Sequence, residues 1–66
     1  MNIILNGKPE HFKDIATIAD LINTLGYQGK RIAVERNGEI VPKSQHANAP
    51  VAADDQIEIV VAVGGG

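Results

Sequence analysis

The chain has 66 residues, with six Lys or Arg against eight Asp or Glu, and a formal net charge of −2 at pH 7. A chain this short supports one domain with a small core and excludes a large catalytic cavity. Its scattered cations form no stripe for nucleic acid, and its lack of cysteine excludes disulfides and zinc–thiolate sites. No apolar run approaches the ~20 residues of a membrane span. We therefore expect a cytoplasmic monomer with no nucleic-acid or membrane partner.

The first predicted unit is a β-hairpin. Residues 2–6 form a short β-rich run that ends at Asn6-Gly7, a pair suited to the positive φ angles of a type I′ turn. A return strand is expected over about residues 9–13. Alternation along the first strand predicts that Ile3 and Leu5 face the core and that Ile4 faces outward.

A helix is predicted next. The sequence Thr17-Ile18-Ala19-Asp20 has the form of a capping box, in which the Thr hydroxyl bonds the N3 amide and the Asp carboxylate reaches back. An apolar stripe then follows at helical spacing, and Gly26 stands where a C′ glycine ends a helix. The stripe consists of Ile18, Leu21, Ile22 and Leu25.

A second hairpin is predicted from residues 31–35, with Ile32 and Val34 on one side, through the turn pair Asn37-Gly38 to residues 39–41. Pro42 ends this pairing because it has no N–H to donate. Residues 43–55 are polar and small without a clear period, which predicts a long connection containing about one helical turn.

The last predicted strand spans residues 56–62. Ile57, Ile59 and Val61 alternate with Glu58, Val60 and Ala62, so the first set should face the core and the second should face outward. The fold class is therefore α+β, with one helix packed across one face of a sheet. On the open face, we predict that Ile4, Val60 and Ala62 help to dock partners, because clustered exposed apolar residues mark such surfaces.

The titratable side chains favour neither catalysis nor a metal site. His11 and His46 lack metal-ligand spacing, and the single serine, Ser44, has no glycine-flanked elbow. Asp54-Asp55 is more typical of a turn before a strand than of a cation ligand. We expect no enzymatic activity, no catalytic residue and no bound metal.

Three glycines close the sequence and are its most unusual feature. Glycine has no Cβ, so Gly64, Gly65 and Gly66 suit a narrow slot in another protein's active site. A terminal carboxylate is ionised at neutral pH because its ordinary pKa is about 3.3 to 3.7, and it is then able to attack a phosphate. We predict a folded domain over residues 1–63 and a flexible tail over residues 64–66.

The segments LNGK, AVERNGEIVPKS and VVAVGGG, together with the predicted element order, resemble the ThiS family of bacterial sulfur carriers. MoaD and ubiquitin are more distant relatives of that family. The resemblance covers the whole chain and implies a β-grasp, ubiquitin-like fold with a mixed sheet. The functional motif of the family is a terminal Gly-Gly, which corresponds to Gly65 and Gly66; the third glycine, Gly64, departs from this minimal ending.

The resemblance also implies a reaction performed on the protein in thiamine thiazole biosynthesis. A ThiF-like adenylyltransferase would use ATP and magnesium to adenylate the Gly66 carboxylate. A cysteine desulfurase or thiotransferase would then supply the sulfur that leaves Gly66 as a thiocarboxylate. A ThiG-like thiazole synthase would accept this sulfur, with residues 64–66 inserted into the partner's active site.

Three alternatives remain open at this point. A MoaD-like small subunit would carry the same thiocarboxylate in molybdopterin synthesis, and a ubiquitin-like modifier would form an amide with a target lysine. A plain β-grasp binding module would not need its glycines. Co-purification with a partner tests the MoaD-like subunit, and covalent ladders on a denaturing gel test the ubiquitin-like modifier. Deletion of Gly65 and Gly66 tests the plain binding module.

Overall fold

The computed structural model describes residues 1–62. Five strands and one α-helix make up its regular structure, together with a short 3₁₀ helix at Lys43–Gln45. The strands are β1 (Asn2–Leu5), β2 (Lys8–His11), β3 (Ile32–Arg36), β4 (Glu39–Ile40) and β5 (Gln56–Val61), and the helix is α1 (Ile18–Thr24). The predicted order of elements is confirmed.

The five strands form one mixed sheet in the order β2-β1-β5-β3-β4. The two hairpins, β1–β2 and β3–β4, are antiparallel and lie at the two sides of the sheet. The last strand, β5, lies between them, parallel to β1 and antiparallel to β3. The strand that leads to the end of the sequence is therefore the central strand of the sheet.

Both Asn-Gly pairs form the predicted hairpin turns. Asn6 and Gly7 have φ angles of 51° and 80°, and Asn37 and Gly38 have φ angles of 51° and 85°. Two successive positive φ angles are the requirement of a type I′ turn, which asparagine and glycine meet with least strain. The return strand β2 begins earlier than predicted, at Lys8, because this two-residue turn leaves no further loop.

The helix confirms its sequence signals at both ends. Thr17 caps α1 by accepting a hydrogen bond from the Asp20 amide, and the Asp20 carboxylate accepts one from the Thr17 amide. Gly26 follows the C-cap with a φ of 76°, a conformation that glycine adopts at little cost. This short helix presents Ile18, Leu21 and Ile22 to the sheet.

An aliphatic core lies between α1 and the sheet, and the connection after β4 closes it. Its buried members come from the helix, from three strands and from the two loops that flank the helix and β5. They are Ile3, Ile15, Ile18, Leu21, Ile22, Val34, Val51, Ile57 and Ile59. Leu5 and Ile32, which were predicted to face inward, are half-buried and pack against this cluster.

The long connection is more structured than its polar composition indicated. Pro50 forms an isolated antiparallel bridge with Thr17, and the Val51 amide donates to the Ala16 carbonyl at 2.9 Å. These contacts place Val51 in the core beside the start of α1. Across residues 1–62, none of the helices is both long and apolar enough to cross a bilayer.

Candidate functional site

The end of β5 is the root of the glycine segment, and β3 holds it on one side. Five residue pairs join β5 to β3, from Arg36 opposite Ile57 to Ile32 opposite Val61. Beyond the strand, the Ala62 amide donates to the Arg31 carbonyl at 2.9 Å. The backbone is therefore held by the sheet up to Ala62, four residues before the end of the sequence.

On the other side of β5, the Asn6 side chain continues the hydrogen bonding to β5 beyond the end of β1. The Asn6 amide donates to the Ile57 carbonyl at 2.9 Å, which is the last backbone bond between these neighbours. The Asn6 side chain then accepts from the Ile59 amide at 2.8 Å and donates to the Ile59 carbonyl at 3.3 Å. One side chain thus satisfies both backbone groups of Ile59, whose own side chain is buried in the core.

Asn37, the asparagine of the second hairpin turn, holds the start of β5. Asn37 Oδ1 accepts from the Gln56 amide at 2.9 Å, and the Asn37 amide donates to the Gln56 carbonyl at 2.7 Å. Asn37 Nδ2 also donates to Asp55 Oδ1 at 3.1 Å. The asparagines of the two hairpin turns therefore hold the central strand near its two ends.

Asp55 is the one buried charged residue of residues 1–62, with 7% of its surface exposed. Its carboxylate accepts hydrogen bonds from Arg36 Nε at 2.7 Å, from the Ala52 amide at 2.8 Å and from Asn37. Burial raises the pKa of Asp55, but these hydrogen bonds and the Arg36 charge outweigh it and hold the pKa below its usual value. Asp55 is therefore ionised at neutral pH and fixes the loop that leads into β5, in agreement with its predicted role before a strand.

The predicted docking residues all lie on the sheet face opposite α1. Val60 is 64% exposed and Ala62 is exposed, as predicted. Ile4 is only half-buried rather than fully outward. The reason is that Pro9 of β2 stands directly opposite Ile4 on the same face, and side chains in such positions approach to about 5 Å.

The structure separates Ile4 from the other two predicted docking residues, Val60 and Ala62. Ile4 is in register with Gln56, and Val60 lies four residues further along β5, a distance of about 13 Å at ~3.3 Å per residue. Glu58 projects from the strand between them on the same face. Ile4 and Val60 therefore do not form one continuous apolar patch.

The glycine predictions concern residues that the structure does not describe. Gly64, Gly65 and Gly66, and the predicted boundary between residues 63 and 64, all lie outside residues 1–62. Within residues 1–62, His11 and His46 lie in different parts of the fold: His11 contacts the Asn2 side chain, and His46 contacts the Val41 carbonyl. Neither histidine belongs to a cluster of three or more potential metal ligands among the described residues.

The sequence model of the ThiS family matches residues 3–66, which include all of the sheet except Asn2 at the start of β1, and all three glycines of the closing segment. The chain belongs to the ThiS family. The sulfur carrier protein ThiS of Bacillus subtilis is 43% identical over 63 residues, covering 94% of this chain and 96% of that protein.

A solved ThiS-family structure shares the fold. The crystal structure of the thiamine biosynthesis protein ThiS from Geobacter metallireducens matches with a TM-score of 0.84 at 29% identity, over the full length of both chains. This agreement confirms the predicted β-grasp fold.

Longer proteins also contain a ThiS-like segment. A thiazole synthase of Paramagnetospirillum magneticum is 42% identical over 66 residues, and one of Magnetococcus marinus is 38% identical over 66 residues. The chain spans about a fifth of the length of each of these two relatives.

The open face of this ThiS-family chain contains apolar residues that sequence reasoning missed. Ala33 lies opposite Val60, and Ile40 of β4 lies opposite Glu35 on the same face with 67% exposure. The alternation of Ile32 and Val34 already placed Ala33 outward, but only the register of β5 against β3 brings it beside Val60. Glu35 stands directly opposite Glu58 on one side and Ile40 on the other, so an acidic pair borders the apolar patch of Val60 and Ala33 and lies between Val60 and Ile40.

Proposed function

We propose that this chain is a sulfur carrier protein of thiamine biosynthesis and that its glycine segment delivers the sulfur. The observation that carries the proposal is the ThiS-family match through residue 66, on a chain whose last strand is held as far as Ala62. The relative from Bacillus subtilis is named for this role. In this proposal, the folded domain serves as a handle that partners recognise, and it does not itself catalyse the reaction.

The first proposed step activates the Gly66 carboxylate. One carboxylate oxygen attacks the α-phosphorus of ATP in a ThiF-like adenylyltransferase, and pyrophosphate leaves; magnesium supplied with the ATP would offset the negative charge of the pyrophosphate. The product is an acyl adenylate at Gly66. This step is needed because a carboxylate is a poor electrophile, whereas the adenylate gives its carbonyl carbon a good leaving group.

The second proposed step exchanges oxygen for sulfur. A persulfide on a cysteine desulfurase or thiotransferase attacks the Gly66 carbonyl carbon, and AMP leaves. A thiol then attacks the donor's cysteine sulfur in this acyl persulfide and forms a disulfide with it, and the outer sulfur leaves with Gly66 as a thiocarboxylate. The absence of cysteine from the chain favours this arrangement, because no thiol of the carrier competes for the activated carbonyl.

The proposed acceptor is a ThiG-like thiazole synthase. The two relatives named thiazole synthase each contain a segment similar to this chain within a protein about five times longer. A carrier-like segment within such an enzyme supports the pairing of carrier and acceptor. We propose that residues 64–66 enter the partner's active site while Val60, Ala62 and, at the far end of the face, Ile4 contact its surface.

Intact mass spectrometry tests the carrier role. After incubation with ATP, magnesium, a ThiF-like enzyme and a sulfur donor, the mass should rise by the difference between a sulfur and an oxygen atom. A variant with one alanine added after Gly66 should not change mass, whereas Lys13→Gln, an exposed change away from β5, should load normally. Normal loading and thiazole formation by the extended variant would refute the proposal.

Docking is tested on Val60, whose exposure makes a charged substitution tolerable to the fold. Val60→Asp should weaken binding to a ThiG-like partner, and Val60→Thr, which keeps the shape and β propensity, should bind within a fewfold of the parent chain. Ile4→Asp is a poorer test because Ile4 is half-buried. Equal binding by the folded Val60→Asp variant would remove Val60 from the docking surface.

The acceptor also distinguishes the proposed role from its nearest alternative. Co-purification with a thiazole synthase supports the thiamine role, and co-purification with the large subunit of a molybdopterin synthase would replace it. Amide-linked ladders on a denaturing gel would indicate a protein modifier.

A further inference from the structure

A basic groove lies between the end of α1, the loop that leads into β3 and the 3₁₀ helix. It has a volume of about 510 Å³ and is open to solvent on one side. The groove is separate from the apolar patch of the open sheet face. Its lining residues are Ala19, Ile22, Tyr27, Gln28, Gly29, Lys30, Arg31, Ile32, Lys43, His46 and Ala47.

The groove concentrates positive charge in a chain that is acidic as a whole. Lys30, Arg31 and Lys43 are three of the six Lys and Arg residues in the sequence, and no Asp or Glu of residues 1–62 lines the groove. A fourth cation, Arg36, is bound to Asp55 elsewhere in the fold. An anion in the groove would therefore meet three cations without a competing carboxylate in the lining.

The backbone of the groove walls is held in place by hydrogen bonds. The Lys30 amide donates to the Tyr27 carbonyl at 3.0 Å, and the Tyr27 amide donates to the Ile22 carbonyl at 3.0 Å. On the opposite wall, the Ala19 amide donates to the His46 carbonyl at 2.9 Å, and His46 Nε2 donates to the Val41 carbonyl at 3.0 Å. The groove is thus preformed, and its rim side chains alone need to adjust to a ligand.

We propose that this groove binds a small organic phosphate. Its volume falls within the range of roughly 300 to 1,000 Å³ that is typical of small-molecule sites. An acidic protein surface is the less suitable anion, because binding such a surface would need no concavity. An Arg fork and two Lys point charges suit phosphate oxygens, and Ile22, Ile32 and the Tyr27 ring offer apolar surface to the organic part. This inference goes beyond the sulfur-carrier role and does not depend on it.

The groove also adjoins the root of the glycine segment through a backbone contact. The Arg31 carbonyl accepts a hydrogen bond from the Ala62 amide at 2.9 Å. A phosphate bound by the Arg31 side chain should therefore change the amide chemical shift of Ala62 as well as those of the groove residues. This link gives the test a second readout outside the groove itself.

The test is an NMR titration of the full ¹⁵N-labelled chain at constant ionic strength with inorganic phosphate, ribose 5-phosphate and ribose. Ribose 5-phosphate should give saturable shifts at Lys30, Arg31, Lys43 and Ala62 and should bind more tightly than inorganic phosphate, while ribose alone should give none. Each single Lys→Gln change in the groove should weaken binding about fivefold, the effect of one unit charge about 4 Å away in water.

Matched controls remove charge from elsewhere on the surface. Lys8→Gln and Lys13→Gln lie on β2 or just after it, outside the groove, and should change the affinity by less than about twofold. The combined Lys30→Gln, Arg31→Gln and Lys43→Gln variant should lose saturable binding, and the single variants keep the test decisive if that protein does not fold.

Three results would overturn the proposal: no saturable shifts in the groove, equal weakening by the control variants, or equal shifts with ribose alone. If the groove variants impair capture of a thiazole synthase while phosphate does not bind, the groove is a protein contact instead. Sulfur loading at Gly66 is measured separately by mass, so either idea can fail without the other.

Discussion

Replacing Asn6 tests how the root of the glycine segment is held. In Asn6→Gly the positive φ angle of the turn is retained without strain, so the change isolates the two side-chain hydrogen bonds to Ile59. In Asn6→Ala the same two bonds are lost, and alanine, which adopts the left-handed region less readily than asparagine, must also take a φ of 51°. The pair of variants therefore separates the contribution of the hydrogen bonds from that of the backbone conformation.

The expected magnitudes follow from these contacts. Asn6→Gly should lower the free energy of unfolding by about 2 to 3 kcal/mol. Loss of the two hydrogen bonds contributes about 1 kcal/mol each, and the greater freedom of glycine in the unfolded chain contributes about 0.5 kcal/mol. Asn6→Ala should cost about 3 to 4 kcal/mol, because alanine lacks the local hydrogen bonding that lets asparagine adopt the left-handed region, which adds about 1 to 2 kcal/mol. For a domain of this size, Asn6→Gly should lower Tm by roughly 10 to 20 °C.

Urea unfolding of the parent chain and both variants measures these differences, and amide hydrogen exchange locates them. The Ile59 amide should lose more protection than the Val60 amide, because Val60 remains in register with Ala33 of β3. The reasoning fails if Asn6→Gly unfolds within about 0.3 kcal/mol of the parent chain, or if Ile59 and Val60 lose protection equally.

Three further predictions concern the fold. Asp55→Asn should lower the free energy of unfolding at pH 7 by about 2 kcal/mol. Because folding lowers the pKa of Asp55, the stabilisation by its carboxylate is present above the unfolded pKa of about 3.9 and is lost as pH falls through the folded pKa. The difference in urea midpoint between Asp55→Asn and the parent chain should therefore shrink in acid. Thr17→Ala removes the bond to the Asp20 amide and should cost about 1 kcal/mol in thermal unfolding, with Thr17→Ser close to the parent chain. Ile57→Val at a fully buried position should cost about 0.5 to 1.5 kcal/mol by the same measurement, and a larger loss in Ile57→Ala would show the effect of the cavity.

Local signals in the sequence predicted most of the fold. The capping box at Thr17, the apolar stripe of α1 and the stop at Gly26 act within one helix, so their geometry follows from spacing alone. The same holds for the two Asn-Gly turns, whose φ angles depend on adjacent residues. The resemblance to a family implied a mixed sheet, but the strand order was not predicted, because it depends on pairing between strands that are distant in the sequence.

What sequence reasoning missed depends on contacts between distant residues. The bonds from Asn6 to Ile59 join positions 53 residues apart, and nothing near either residue indicates the other. The basic groove is a second example, since Lys30 and Lys43 are far apart in the chain and were interpreted only as scattered charges. The open face of the sheet was predicted in part: alternation gave the direction of Val60 correctly, but it did not predict that Pro9 would partly cover Ile4.

The central position of β5 has a mechanical consequence for a partner that draws on the end of the chain. A pull along β5 from Ala62 acts parallel to its neighbours, β1 and β3, so their hydrogen bonds are loaded in shear and resist together. A strand at the edge of the sheet, pulled sideways, would release its bonds one after another. Under the proposed sulfur-carrier role, the domain should therefore stay folded when a partner enzyme pulls on the end of the chain. Single-molecule pulling from the C-terminal side should require more force than pulling on the β4 edge.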